Sequence, residues 1–225
     1  MDLKKILPTN GPSIEEVKKY IEKYLEEIIV IKCGGSVLLD ENLFKQFIED
    51  VSVIHKLGLS VIVVHGGGKN IKKKLDKLDI KSKFIDGLRV TDETAIKVVE
   101  EALLELNSEI INKLKDLQIN TESVAPQNKN IITIKPEKKE LGFVGSPKEI
   151  DLKGILKIIK EKKIPIVVPM GTSDDKKTYN INADIAAGSV AKELSSRRLL
   201  LMTDVEGVLD KNKKLIPEIN SSIAE

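Results

Sequence analysis

The chain has 225 residues, 41% hydrophobic and 32% charged, the make-up of a globular protein with a densely charged surface and core enough for one large α/β domain. Its 37 basic and 35 acidic residues leave a formal net charge of +2, so global electrostatics gives no case for a nucleic-acid or membrane partner, and any anion must be held locally. Cys33 is the single cysteine, which excludes an intrachain disulfide and a cysteine-rich zinc site. The opening MDLKKILPTN is too polar for a signal peptide, and no apolar run approaches the roughly 18 residues of a membrane span, so a cytoplasmic location is expected.

Ser13 and Glu16 stand at capping-box spacing, with Ile14, Val17, Ile21, Tyr24 and Leu25 recurring at helical intervals. They predict an amphipathic helix within residues 1–27, ahead of a main domain at 28–225, its stripe packed on its own domain or on another subunit. The β-branched run from Ile28 to Cys33 suits a strand buried on both faces; Lys32 stands near its end, and Gly34 and Gly35 follow. VIVVHGGG at 61–68 repeats the arrangement. Between them Phe44, Phe47, Ile48, Val51 and Ile54 mark a helix closed by Gly58, making a strand–helix–strand crossover with parallel strands. Ile71, Leu75 and Leu78 then seat a shorter helix on the second glycine turn, its first N–H groups facing an anion.

Thr91 is a candidate cap for a long helix in which Ile96, Val99, Leu103, Leu106 and Ile110 alternate by three and four residues. That narrow stripe, near 92–117, is a dimer seam or packs within the chain. Residues 131–134 and 141–144 read as strands around a polar turn at 135–140, a hairpin projecting from the sheet. Leu152, Ile155, Leu156 and Ile159 form a helix, and 164–170 a buried strand with Pro165 and Pro169 near its ends. A turn at 174–177 precedes Tyr179–Asp184, which enters a helix of small residues, Ala186, Ala187, Gly188 and Ala191. The last strand is 199–202, followed by a turn-rich loop at 203–210. The alternation indicates a mostly parallel sheet with helices on both faces.

Neither a Walker A pattern nor G-x-G-x-x-G is present. A glycine pair alone marks a tight turn; two such turns with Lys32 point to a polyanion. Arg89 is one of three arginines among 37 basic residues, and its planar fork suits a carboxylate, or an ordinary salt bridge. Asn180, Asn182 and Asp184 cap the next helix, or Asp184 orients cations around a phosphate. His55 and His65 suggest no catalytic pair, and His65 packs or hydrogen-bonds beside its loop. Cys33 is a small packed residue, or a thiol activated by Lys32.

Lys32-Cys33-Gly34-Gly35, His65-Gly66-Gly67-Gly68, Gly87-Leu88-Arg89-Val90-Thr91, Asn180-Ile181-Asn182-Ala183-Asp184 and the block Thr203–Asp210 stand in the order in which similar blocks occur in acetylglutamate kinases, of the amino-acid kinase family, which this chain resembles. The arginine and asparagine–aspartate blocks are the more specific. The resemblance implies an open three-layer αβα sandwich with a β-hairpin insertion. It also implies phosphoryl transfer from MgATP to the side-chain carboxylate of N-acetyl-L-glutamate, in arginine biosynthesis. Carried over by position, Lys32 meets the γ-phosphate, Asp184 organises the lysines, and Gly34 and Gly35 offer N–H groups nearby. Gly67, Gly68, Arg89 and Asn180 hold the acetylglutamate, while Asp204, Val205, Glu206, Gly207, Val208 and Leu209 border the nucleotide; Mg²⁺ comes with ATP and no other metal is expected. The N-terminal helix resembles the extension by which arginine-inhibited members form hexamers, so a homodimer or hexamer is implied. Family members continue beyond this chain's last residue into a segment with a second catalytic lysine, so the domain is expected to be C-terminally incomplete. The alternatives are a sibling kinase for another acidic amino acid, such as carrier-bound aminoadipate, and a non-catalytic ligand-binding or regulatory module.

Overall fold

The computed structural model of the chain describes residues 3–25, 27–35, 37–203 and 205–220. Strands β1 (Ile28–Cys33) and β2 (Ser60–His65) pair in parallel, Ile28 opposite Ser60 through Cys33 opposite His65. Successive strand residues point to opposite faces. Ile29, Ile31 and Cys33 therefore join Val61 and Val63 in one core, while Val30 joins Ile62 and Val64 in another. The first core is closed by Phe44, Phe47, Ile48 and Val51 of α3 (Glu41–Lys56) and by Leu106, Ile110 and Leu114 of α5 (Glu93–Asp116). The second is closed by α6 (Leu152–Lys160) and α7 (Ala183–Glu193), where Ala186, Ala187 and Ala191 permit close approach to the sheet. With β5 (Thr121–Val124), β8 (Ile164–Val167) and β11 (Arg198–Met202) the sheet runs β11-β1-β2-β8-β5, all parallel. This is the expected three-layer sandwich.

The capping box at Ser13 and Glu16 opens α2 (Ile14–Tyr24), preceded by a short α1 (Leu3–Ile6) that the sequence did not announce. Gly58, at φ +88, follows α3 as expected, and α4 (Gly68–Lys77) starts on the second glycine turn. No described helix is long and apolar enough to cross a membrane.

Other expectations need correction. Asp92, not Thr91, caps α5: its carboxylate accepts from the N–H groups of Thr94 and Ala95 at 3.0 and 2.7 Å, whereas Thr91 is buried and bridges to Gly142. Ile96, Val99, Leu103, Leu106 and Ile110 are buried inside the chain, because α5 packs on the sheet and on α4 together. The apolar stripe is thus an intrachain seam. The hairpin strands are β6 (Ile132–Pro136) and β7 (Gly145–Ile150), since Leu141 is buried in a 3₁₀ turn at Lys139–Leu141 and Val144 bridges to Asn180. Nor does the hairpin project: it joins β9 (Met170–Thr172) and β10 (Thr178–Asn180) in a four-stranded sheet, β10-β9-β6-β7. The single strand expected at 164–170 breaks into β8 and β9 at Pro169, which has no N–H for a ladder. Finally, β3 (Phe84–Ile85) and β4 (Leu88–Arg89) form a small hairpin whose turn residues, Asp86 and Gly87, have φ of 50° and 77°, the positive pair of a tight primed turn.

Candidate active site

The carboxyl ends of β1 and β2 open into a cleft of about 230 Å³, bounded by both glycine turns, the β3–β4 hairpin and the start of α7. Strand alternation puts Lys32 on the face of Val30, toward α7. Its Nζ lies 2.9 Å from Asp184 Oδ1. The lysine side chain is 11% exposed and the aspartate 54%, so the pair has one buried and one wet partner. Asp184 sits in the first turn of α7, where the helix amides favour negative charge. That turn is held by Asn182, whose side-chain oxygen accepts from the N–H groups of Asp184 and Ile185 at 2.8 and 3.2 Å. The ambiguity among these three residues therefore divides: Asn182 caps, Asp184 pairs with Lys32, and Asn180, at the end of β10, lines the cleft.

The two glycine turns touch. Gly66 N–H donates to the Cys33 carbonyl at 2.7 Å, and a Cβ placed on Gly35 would lie 3.7 Å from the Gly68 nitrogen. Gly34 departs from its expected part, because its N–H donates to the Met202 carbonyl at 3.1 Å and so extends the β1–β11 ladder. What Gly34 supplies is room: a Cβ there would stand 3.0 Å from the Met202 carbonyl oxygen and 3.3 Å from Lys32 Nζ. Gly67 has an extended φ of 179°, which any residue adopts; space is what excludes a side chain, since a Cβ would lie 2.6 Å from Leu103 Cδ2. α4 opens at Gly68 with its N-terminal end toward the cleft, and a helix N-terminus suits an anion.

Arg89 is 9% exposed. Its Nη1 donates to Ser82 Oγ at 2.5 Å, its Nη2 to the Gly68 carbonyl at 3.0 Å, and its carbon centre stands 4.7 Å from the Phe84 ring. Each terminal nitrogen uses one of its two N–H groups on the chain and keeps the other. Burial holds the guanidinium pKa below its ordinary value, with Asp76 acting the other way. Burial also drives His65 down to about 4, against a hydrogen bond to Gly66, and pushes the Cys33 thiol up to about 12, against the charge of Lys32. Neither is a general base or an activated thiol; both are packed, as the blander expectations held.

Of the remaining expected residues, Gly35, Gly67 and Gly68 line the cleft with Lys32, Gly34, Arg89, Asn180 and Asp184. Val205, Glu206, Val208 and Leu209 are exposed, Gly207 is half-buried, and these five lie outside the cleft. Asp204 falls outside the described residues. The sequence reading missed Ser82 and Phe84, which hold Arg89, and the buried Asn107. For Asn107 a signal existed, a polar residue interrupting an apolar helix face.

The sequence pattern of the amino acid kinase family matches residues 27–225. The acetylglutamate kinase of Pelagibacter ubique (strain HTCC1062) is 55% identical over 223 residues, covering 99% of this chain and 77% of that protein. That of Campylobacter fetus subsp. fetus (strain 82-40) is 39% identical over 205 residues, covering 90% of this chain and 73% of its own length. Among solved structures, smu.665 from Streptococcus mutans UA159 matches with a TM-score of 0.74 at 31% identity, covering 82% of this chain and 75% of that one.

Proposed function

The chain belongs to the amino acid kinase family, and from that premise we propose that it transfers the γ-phosphoryl group of ATP to the side-chain carboxylate of N-acetyl-L-glutamate. One observation carries the reading: Lys32 Nζ, held 2.9 Å from Asp184, shares a single cleft with two adjoining glycine turns, Arg89 and Asn180. The names of the relatives favour acetylglutamate over a sibling acceptor and a catalyst over a silent binding module.

A glutamate-type carboxyl has a pKa of about 4.3, so at neutral pH it is already a nucleophile. Its oxygen attacks the γ-phosphorus, a new O–P bond forms as the bond to the bridging β–γ oxygen breaks, and ADP leaves with that electron pair. No proton has to be removed. What remains for the protein is positioning and charge stabilisation. Lys32 offsets charge on the moving phosphoryl group, and Asp184 keeps its ammonium turned to the glycine turns. Arg89 takes a carboxylate through its remaining N–H groups, Asn180 and the Gly67–Gly68 turn hold the rest of the acetylglutamate, and Leu88 and Val144 give the acetyl methyl an apolar wall. The triphosphate lies at Gly34 and Gly35, with the adenine end toward residues 204–209. Mg²⁺ would arrive bound to ATP and would offset negative charge on the phosphates, while Asp184 is engaged with Lys32. Assembly as a homodimer or hexamer is supported by exposed Tyr20 and Leu25 at α2, and sedimentation reads it directly.

The test is ADP release with ATP and N-acetyl-L-glutamate, with the acyl phosphate trapped as a hydroxamate by hydroxylamine. Both products are expected, in equal amounts, and L-glutamate or L-aspartate give far less. ADP release that does not depend on the acetylated acceptor overturns the assignment.

A further inference from the structure

The second glycine turn is supported from behind by α5. Asn107 is 1% exposed, a polar side chain on a helix face otherwise made by Leu103, Leu106 and Ile110. Its Nδ2 lies 3.0 Å from the carbonyl oxygen of Ile166 in β8 and 3.2 Å from Nε2 of His65. A carbonyl only accepts, so the amide nitrogen must be the atom that faces it, which fixes the Asn107 side chain. The second hydrogen of that nitrogen is then directed at His65. Nε2 is therefore the bare, accepting nitrogen, and the ring proton sits on Nδ1. Nδ1 stands 2.9 Å from the Gly66 carbonyl and donates to it. One strand carbonyl thus determines, through two buried side chains, a hydrogen bond on the first peptide of the glycine turn.

We propose that Asn107, acting through His65, is a positioning residue that holds the Gly66–Gly67 peptide in the orientation the acidic substrate meets. The inference rests on the kinase reading above and adds a residue outside the cleft lining. The Gly66 carbonyl and the Gly67 N–H belong to one peptide plane, so pinning the first fixes the second. A bond accepted at the carbonyl also strengthens the N–H as a donor. Alternation along β2 makes this possible: His65 shares its face with Val61 and Val63, the side on which α5 packs, while the turn that follows opens into the cleft.

The experiment uses the full chain labelled with ¹⁵N, whose two histidines are told apart with His55→Asn. In the unsubstituted chain His65 is expected to carry its proton on Nδ1 and to show a bare Nε2. In Asn107→Leu the ring should lose that single tautomer and the Gly67 amide resonance should move. The KM for N-acetyl-L-glutamate should rise about tenfold, the scale of one lost hydrogen bond, with the KM for ATP within about twofold. A substitution that only loosens the fold would move both constants together, and that result, or none, overturns the positioning role. Should the variant not fold, the unsubstituted chain still decides, because a proton on Nε2 contradicts the whole linkage. If N-acetyl-L-glutamate is not turned over at all, the kinase reading fails by itself, and the ring and Gly67 spectra report separately whether Asn107 sets the turn.

Discussion

Lys32, Arg89 and His65 are all buried cationic or titratable residues, yet each is stabilised differently, and the differences make separate predictions. Lys32 has Asp184 as a wet counter-ion, so removing its ammonium leaves no buried charge stranded. Lys32→Ala should keep the fold, read by its circular dichroism melt, while turnover drops roughly a hundred- to a thousandfold, the scale of losing one preorganised charge donor. Near-normal ADP production would take Lys32 out of the mechanism. Arg89 is held by Ser82, Gly68 and the Phe84 ring, contacts that use the planar fork. Arg89→Lys should therefore raise the KM for acetylglutamate at least about tenfold while leaving that for ATP nearly unchanged, because a point charge reproduces neither the fork nor the stacking. His65 bears on pH. Its imidazole titrates near 6.5 in the unfolded chain and near 4 when folded, so between those values the unfolded state binds more protons. Stability from this group is complete above pH 6.5 and is lost as pH falls through 4, on the order of 3 kcal/mol across the window. Urea midpoints of the natural chain and His65→Gln should converge as pH drops from 7 to 4.5; a constant gap would show that His65 does not titrate there.

At the scale of elements, α5 and the second glycine turn share one tight contact. Leu103 Cδ2 would meet a Gly67 Cβ at 2.6 Å, so Gly67→Ala should cost about 1–3 kcal/mol by overpacking. Leu103→Ala alone should cost about 2–5 kcal/mol by leaving a cavity. The double substitution should cost clearly less than the sum, since each relieves the other's fault; strict additivity in denaturant titrations would mean that the two sites do not touch. The same elements show where the sequence was legible. β1, β2, α3 and α7 were read correctly because burial on both sheet faces and close helix packing demand β-branched runs and small residues that leave a plain trace. The hairpin was misplaced because its second strand, GSPKEI, is half-exposed on both sides and carries no apolar alternation, whereas the more apolar 141–144 buries Leu141 and Val144 without being a strand. The stripe of α5 allowed two readings, since a helix packed on a sheet and another helix shows the same spacing as one packed on a second copy. Asn107 interrupts the apolar face of α5 and so is visible as an oddity, but its partners lie on β2 and β8, and the sequence does not say which they are.

At the scale of the whole molecule, the cleft gathers β1, β2, α4, the β3–β4 hairpin, β10 and α7 from distant parts of the chain. Composition and periodicity could place each piece on a strand end or helix start, but only the order of the motif blocks brought them together. The break at Pro169 is what lets β9 and β10 leave the large sheet and set Asn180 across from the glycine turns. None of residues 205–209, the expected border of the nucleotide, lines the cleft that holds Arg89 and Asn180. The two ligands should therefore bind side by side and not in competition. A ligand at a hundred times its Kd adds about 2.7 kcal/mol to stability, and a chain of this size gains about 2–4 °C per kcal/mol, so each alone should raise the melting temperature by about 5–10 °C. Together they should give close to the sum, and Lys32→Ala should diminish the ATP increment while sparing that of acetylglutamate. A combined shift no larger than the greater single one would mean that both ligands claim the same space, and the side-by-side arrangement at the glycine turns would be wrong.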